Sequence, residues 1–126
     1  MTTRLKLRFD FDETRKLGPG KIELLEAIRQ HGSIAGAGRD FGMSYRRAWL
    51  LVDELNHMFT SPVVEARGGG RNGGGAVLTE LGETVVALYR EAERKMSRSA
   101  SREIERIERV LAHTSPAAPP SSDVTS

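Results

Sequence analysis

One stretch, Gly32–Asn56 (GSIAGAGRDFGMSYRRAWLLVDELN), constrains the fold more than any other. Ser33 and Ser44 are each suited to cap a helix, because a serine oxygen accepts from the free amides of a helix's first turn. Gly42 falls where the first of two helices must stop and reverse, and glycine enters the left-handed conformation that such a turn requires. Gly38, one helical turn earlier, is small enough to let the second helix cross closely. Phe41 and Met43 flank the turn and are expected to enter a core. In the second helix Ala48, Val52 and Leu55 share a face at helical spacing. Tyr45, Arg46 and Arg47 fall at its exposed N-terminal end. This is the layout of a helix-turn-helix, whose second helix presents its first side chains to the DNA major groove. An ordinary helical hairpin with two surface arginines satisfies this stretch equally well.

The flanking segments extend the pattern. Arg4–Phe11 alternates Leu5, Leu7, Phe9 and Phe11 with charged residues, a period-two pattern that predicts a half-buried strand. Asp10, Asp12 and Glu13 follow it. No histidine or further acid at suitable spacing joins them, so a solvated strand end is preferred over a metal site. Gly18-Pro19-Gly20 opens a helix with Pro19 at its first position. Ile22, Leu25 and Ile28 are its buried stripe, flanked by Leu24 and Ala27, and His31 and Gly32 end it. His31, near that C-terminus, reads as a favourable end charge and not as a catalyst. The second helix of the central stretch is expected to run to about Phe59, and Pro62 marks a boundary.

Val63 and Val64 begin a strand that Arg67 ends, and Ala76, Val77 and Leu78 make the return strand. GGGRNGGG between them is a hairpin tip carrying Arg71 and Asn72. The run formally contains GxGxxG, but a strand follows it and not a helix, so a dinucleotide site is rejected; no Gly-Lys-Ser/Thr makes it a phosphate loop. A hairpin placed directly after a recognition helix is a wing, and an arginine on it can reach the minor groove or phosphates. The other reading is an idle loop.

Thr79 caps a further helix, with Glu80 favourable in its first turn. Leu81, Val85, Leu88, Ala92, Met96, Ala100, Ile104, Ile107 and Leu111 form one stripe at helical spacing. That length exceeds what a small domain needs to cover its own core, and the charged flanks suggest pairing with a second copy. A solvated helix held by pairs such as Glu105–Arg109 is the alternative. Serines at 97, 99 and 101 weaken the helix locally. His113–Ser126 is rich in Pro, Ser and Ala and is expected to be a disordered tail.

Composition narrows the function classes. At 126 residues the chain supports one compact domain with one extension. Hydrophobic content of 38% is low for a large core, which leaves surface for partners. There is no cysteine, which excludes disulfides and thiolate metal sites and fits a reducing cytoplasm. No apolar run approaches the roughly 18 residues that span a bilayer, and the first residues carry no signal-peptide core. Lys+Arg 19 against Asp+Glu 17 gives a net charge of only +2, so a basic surface must come from clustering. The three histidines, His31, His57 and His113, are scattered, and no nucleophile–base pairing, metal spacing or phosphate loop supports an enzyme.

GSIAGAGRDFGMSYRRAW, with a glycine-rich hairpin ending GGGAVLTELGE, resembles the N-terminal DNA-binding domain of ModE, the bacterial molybdate-responsive transcription regulators. It is more distantly similar to the winged helix-turn-helix of LysR-type regulators. The resemblance runs from about Leu5 to about Tyr89. It implies a homodimeric winged helix that binds palindromic promoter DNA. The fold class is then mostly α with a small β component: an N-terminal strand, a winged helix-turn-helix and a long C-terminal dimerisation helix. The expected divisions are a DNA-binding domain over 1–78, the dimerisation helix over 79–112 and a tail over 113–126.

Carried over by the resemblance, the recognition helix spans Ser44–Asn56 and the wing Arg67–Val77. Ser33, Ser44, Tyr45, Arg46, Arg47, Trp49, Arg67, Arg71 and Asn72 are the candidate DNA contacts, with Trp49 read as packing first. Leu88, Ala92, Met96, Ala100, Ile104, Ile107 and Leu111 are the candidate dimer interface. Catalytic and metal residues are none. The sensing modules that follow this domain in ModE are not represented, so no cofactor, and no molybdate, is expected. The expected partners are double-stranded DNA and a second copy, with no membrane. The alternative is a winged helix used for protein contacts, or an architectural DNA binder without sequence specificity.

Overall fold

The computed structural model describes residues 3–68 and 75–112. The fold is mostly α with two small antiparallel hairpins. Strands β1 (Phe9–Asp10) and β2 (Lys16–Leu17) precede helices α1 (Pro19–His31), α2 (Ile34–Asp40) and α3 (Tyr45–Met58). Strands β3 (Val64–Arg67) and β4 (Gly75–Leu78) follow, then helices α4 (Glu80–Ser99) and α5 (Ser101–Arg109). Arg71, Asn72 and the tail 113–126 lie outside the described residues.

Helix α1 is the centre of the core. Pro19 stands at its start, and Gly32 ends it at φ 72°, its amide donating to the Ile28 carbonyl at 2.7 Å. Ile22, Leu24, Leu25 and Ile28 are fully buried. They meet Ala37 of α2, Val52 and Leu55 of α3, Val63, Val64 and Ala76 of the second hairpin, and Val86 and Tyr89 of α4. Each such aliphatic side chain stabilises the fold by about 1.5–3 kcal/mol.

The strand expected over Arg4–Phe11 is confined to Phe9–Asp10, opposite Leu17 and Lys16. Asp12 is the reason. Its carboxylate is bound by the Arg15 guanidinium at 2.7 Å and accepts from the Arg15 and Thr14 amides at 2.8 and 3.1 Å. These donors close a tight turn and hold the carboxyl down at about 2, well below its ordinary range. Asp10 is paired with Arg8 at 2.7 Å. Leu5 and Leu7, upstream of β1, are half-buried without strand pairing. The Leu7 carbonyl instead accepts from the Tyr89 hydroxyl. Phe11 is exposed and stacks on Phe9, which meets Tyr89 edge-on.

Helix α4 buries a second stripe beside the expected one. Gly82, Val86 and Tyr89 are buried, while Leu81 and Val85 of the expected stripe stand next to them. Gly82 sets this rotation: a Cβ there would stand 2.2 Å from the Val63 carbonyl oxygen, so only glycine lets the helix seat against that backbone. Leu81 and Val85 pack on the core margin, while Leu88 is 65% exposed. Arg90 ties α4 to α1 through a two-bonded contact with Glu26 at 2.8 and 2.9 Å, and to Glu93 at 2.7 Å. The hydrogen bonds from Arg90 pull the Glu26 carboxyl below its ordinary range. The helix is interrupted at Ala100 (φ −100°, ψ 13°), within the serine-rich segment. Its ladder continues across, Ala100 donating to Met96 at 3.0 Å and Ile104 to Ala100 at 2.9 Å.

Candidate nucleic-acid interface

The α2–α3 corner forms as its residues dictate. Ser33 Oγ accepts from the Gly36 amide at 2.9 Å and Ser44 Oγ from the Arg47 amide at 3.1 Å, capping both helices. Gly42 takes φ 66°, and the Met43 amide returns to the Gly38 carbonyl at 3.0 Å. A Cβ on Gly38 would lie 3.1 Å from that of Ala48, which measures how closely the two helices cross. Phe41, expected in a core, is exposed: the Gly38–Ala48 approach leaves no room for a ring between the helices. Met43 is half-buried.

Ala48, Val52, Leu55 and Met58 face the core from α3. The opposite face carries Tyr45, Arg46, Arg47, Trp49 and Leu50, all exposed. The carboxylates of α3 lie in its second half: Glu54 is held by Lys21 at 2.8 Å, and Asp53 stands 3.6 Å from His57. Among the described residues, Arg39 of α2, Arg46 and Arg47 of α3, and Arg67 of β3 form no ion pair. Arg8, Arg15, Arg29, Arg90 and Arg94 each hold a carboxylate. Arg98, Arg102, Arg106 and Arg109 of α4 and α5 form no ion pair either, but they stand among the acids of the same helices, whereas the first half of α3 carries no acid.

Trp49 is 45% exposed and is not a core residue. With Ser33, Tyr45, Asp53 and Asn56 it lines a groove of about 340 Å³ that β3 and β4 close on the other side. His31, at the α1 end, has Nε2 2.8 Å from Asp40 Oδ2, tying the end of α1 to the end of α2.

The hairpin is held against α3 by contacts that the sequence reading did not find. The Asn56 side chain accepts from the Val63 and Val64 amides at 2.8 and 3.0 Å and donates to the Val64 carbonyl at 3.0 Å. On the return strand, the Ala76 amide donates to the Gly32 carbonyl at 2.9 Å; a Cβ on Gly75 would be 2.7 Å from that same oxygen. Thr79 closes the base, its hydroxyl donating to Pro62 and accepting from Gly82. Arg67 stands opposite Gly75 at the open end of the ladder. Nothing in the spacing of Asn56 separates such a clamp from an ordinary helix-end asparagine. The second stripe Gly82–Val86–Tyr89, in contrast, is visible at helical spacing once Gly82 is taken as a contact point.

No protein-family model matches the chain. It is 50% identical over 74 residues to the molybdenum-pterin-binding protein MopA of Rhodobacter capsulatus, covering 59% of this chain and 28% of that protein. It is 37% identical over 105 residues to the molybdenum transport protein ModE of Azotobacter vinelandii, covering 83% of this chain and 39% of the relative. With the DNA-binding transcriptional dual regulator ModE of Escherichia coli it shares 42% identity over 71 residues, covering 56% of the chain and 27% of the relative. Among the described residues no helix is long and apolar enough to cross a membrane. The chain therefore spans between about a quarter and two fifths of these bacterial relatives, and over the shared stretch its sequence is ModE-like.

Proposed function

We propose that this chain is a bacterial DNA-binding transcriptional regulator and not an enzyme. In this reading α2 and α3 are a helix-turn-helix and β3–β4 its wing. A homodimer binds palindromic promoter DNA through Ser44–Asn56 and Arg67–Val77. The observation that carries it is the charge asymmetry of α3: its first half exposes Arg46 and Arg47 and carries no acid, and its carboxylates, Asp53 and Glu54, lie in the second half. Ser44 caps α3 and keeps those arginines in its first turn. Tyr45 and Trp49 border the groove toward the hairpin, with Ser33 at its edge and Arg67 on the adjoining strand.

The homodimer rests on α5. No residue of α5 is buried, and its ladder continues that of α4, so the pair forms one long helical arm whose apolar stripe is left uncovered. Leu88, Met96, Ile107 and Leu111 are exposed along α4 and beyond α5, with Ala92, Ala100 and Ile104 half-buried between them. A second copy covers this stripe. DNA binding then resides in the first three helices and the wing, within 1–78, and α4 with α5, within 79–112, serves dimerisation.

Selection of bound duplexes from a random pool, with and without molybdate, tests the reading. Enrichment of an inverted repeat supports it, and the half-site spacing gives the distance between the two recognition helices. A change on adding molybdate makes the chain itself responsive to that anion, as the names of its relatives invite. Retention without enrichment points to an architectural binder. Absence of binding at low salt leaves a protein-interaction module.

A further inference from the structure

Among the described residues the exposed large apolar side chains fall into two clusters, apart from Phe11 stacked on Phe9. One lies along α4 and α5, among acids and bases. The other is Phe41, Tyr45, Trp49 and Leu50 on the α2–α3 corner, where Arg46 and Arg47 stand on a half-helix that carries no acid. Within it Leu50 differs from its neighbours. Tyr45 and Trp49 turn toward the hairpin groove. Leu50, 48% exposed, lines a separate shallow depression on α3 together with Ser44, Arg46, Arg47, Leu51 and Glu54. An aliphatic side chain is thus set between two cationic ones, on the face that the DNA-binding reading turns toward the duplex.

The chemistry of the major groove specifies what suits each. Arginine matches the two acceptors on the edge of guanine, and the one apolar group presented there is the 5-methyl of thymine. Leu50 follows Arg46 by four residues, about 6 Å along the helix axis, and base pairs stack at about 3.4 Å. Along the groove that rise corresponds to about two base-pair steps between the two backbone positions. Glu54, one turn further on, is drawn aside by Lys21 at 2.8 Å, so its charge does not oppose this contact. We propose that Leu50 reads the 5-methyl group of a thymine beside the guanine contacted by Arg46. This rests on the DNA-binding reading and adds a base preference to it.

The test uses the full chain and the half-site obtained by selection. Each thymine is replaced in turn by deoxyuridine, which removes only the methyl group, and affinity is measured for the native protein, L50A and F41A. Burial of one methyl group corresponds to about a fourfold loss per half-site. That loss is expected at one thymine for the native protein and for F41A, whose exposed ring stands on the same corner, and is expected to vanish in L50A. Leu50 is exposed, so thermal melting of L50A should match the native chain. Absence of any methyl-sensitive thymine overturns the proposal while leaving DNA binding intact. So does sensitivity that persists in L50A, or that disappears in F41A instead. A selection that enriches no sequence overturns the proposal together with the reading beneath it.

Discussion

The exposed faces of α3 and of α4–α5 are alike in hydrophobicity and differ in charge. Each presents large apolar side chains to solvent: Tyr45, Trp49 and Leu50 on one, Leu88, Met96 and Ile107 on the other. Around the first stand Arg46 and Arg47, on a half-helix that carries no acid. Around the second, acids and bases alternate through Arg98, Arg102, Glu103, Glu105, Arg106, Glu108 and Arg109, and Glu91 binds Arg94 at 2.6 Å. A single-sign field suits a polyanion, and mixed charges beside an apolar stripe suit another protein surface. Exposure of hydrophobic surface marks a contact site, and the charge around it selects the partner.

The strongest way to break that comparison is to remove arginines from both faces. Arg46→Ala or Arg47→Ala is expected to weaken binding to the selected half-site by roughly 5- to 150-fold, the worth of one arginine–guanine contact. Arg102→Ala should change it less than about twofold. Equal losses from all three, measured by titration of labelled duplex, would merge the two faces into one electrostatic surface.

The converse change places a charge in the mixed-charge face. Leu88→Glu or Ile107→Glu should raise the dimer dissociation constant by about tenfold or more, since burial of one such side chain is worth at least about 1.5 kcal/mol. Sedimentation across a concentration series reads this. A dimer that survives both substitutions would remove the stripe from the interface.

The smallest expected effect sharpens the boundary between the buried and exposed parts of α4. Arg90→Ala breaks the half-buried contact with Glu26 and should cost about 1 kcal/mol near neutral pH. Because Arg90 lowers the folded-state pKa of Glu26, that contribution is fully present above the ordinary glutamate value. It is lost as pH falls through the depressed one. The gap between native and variant melting temperatures should therefore close on acidification. A gap that stays constant down to acid pH would mean that Arg90 acts by packing alone.

Much of this was legible without coordinates. Capping serines, Pro19, Gly32 and Gly42 fix where α1, α2 and α3 begin and end, because each satisfies or relieves a backbone group within a few residues of itself. The apolar spacings of α1 and α3 identify their buried faces for the same local reason. The strand expected over Arg4–Phe11 failed because alternation shows which residues want burial and says nothing of a partner. Asp12 closes the turn so soon that only two residues pair. On α4 two apolar stripes lie side by side, and spacing alone does not say which of them the core takes. Gly82 against the Val63 carbonyl, a contact between segments nineteen residues apart, selects which one turns inward.

For the candidate interface the division is similar. Sequence alone determined which side chains stand at the start of α3, since cap and periodicity are local properties. Tertiary structure decided that Trp49 is half-exposed, that Asn56 clamps the hairpin to α3 and that Ala76 is tied to Gly32. It also decided which arginines remain unpaired among the described residues. These depend on where distant backbone and distant carboxylates come to lie, and a spacing rule carries no information about groups that only folding brings within hydrogen-bonding distance.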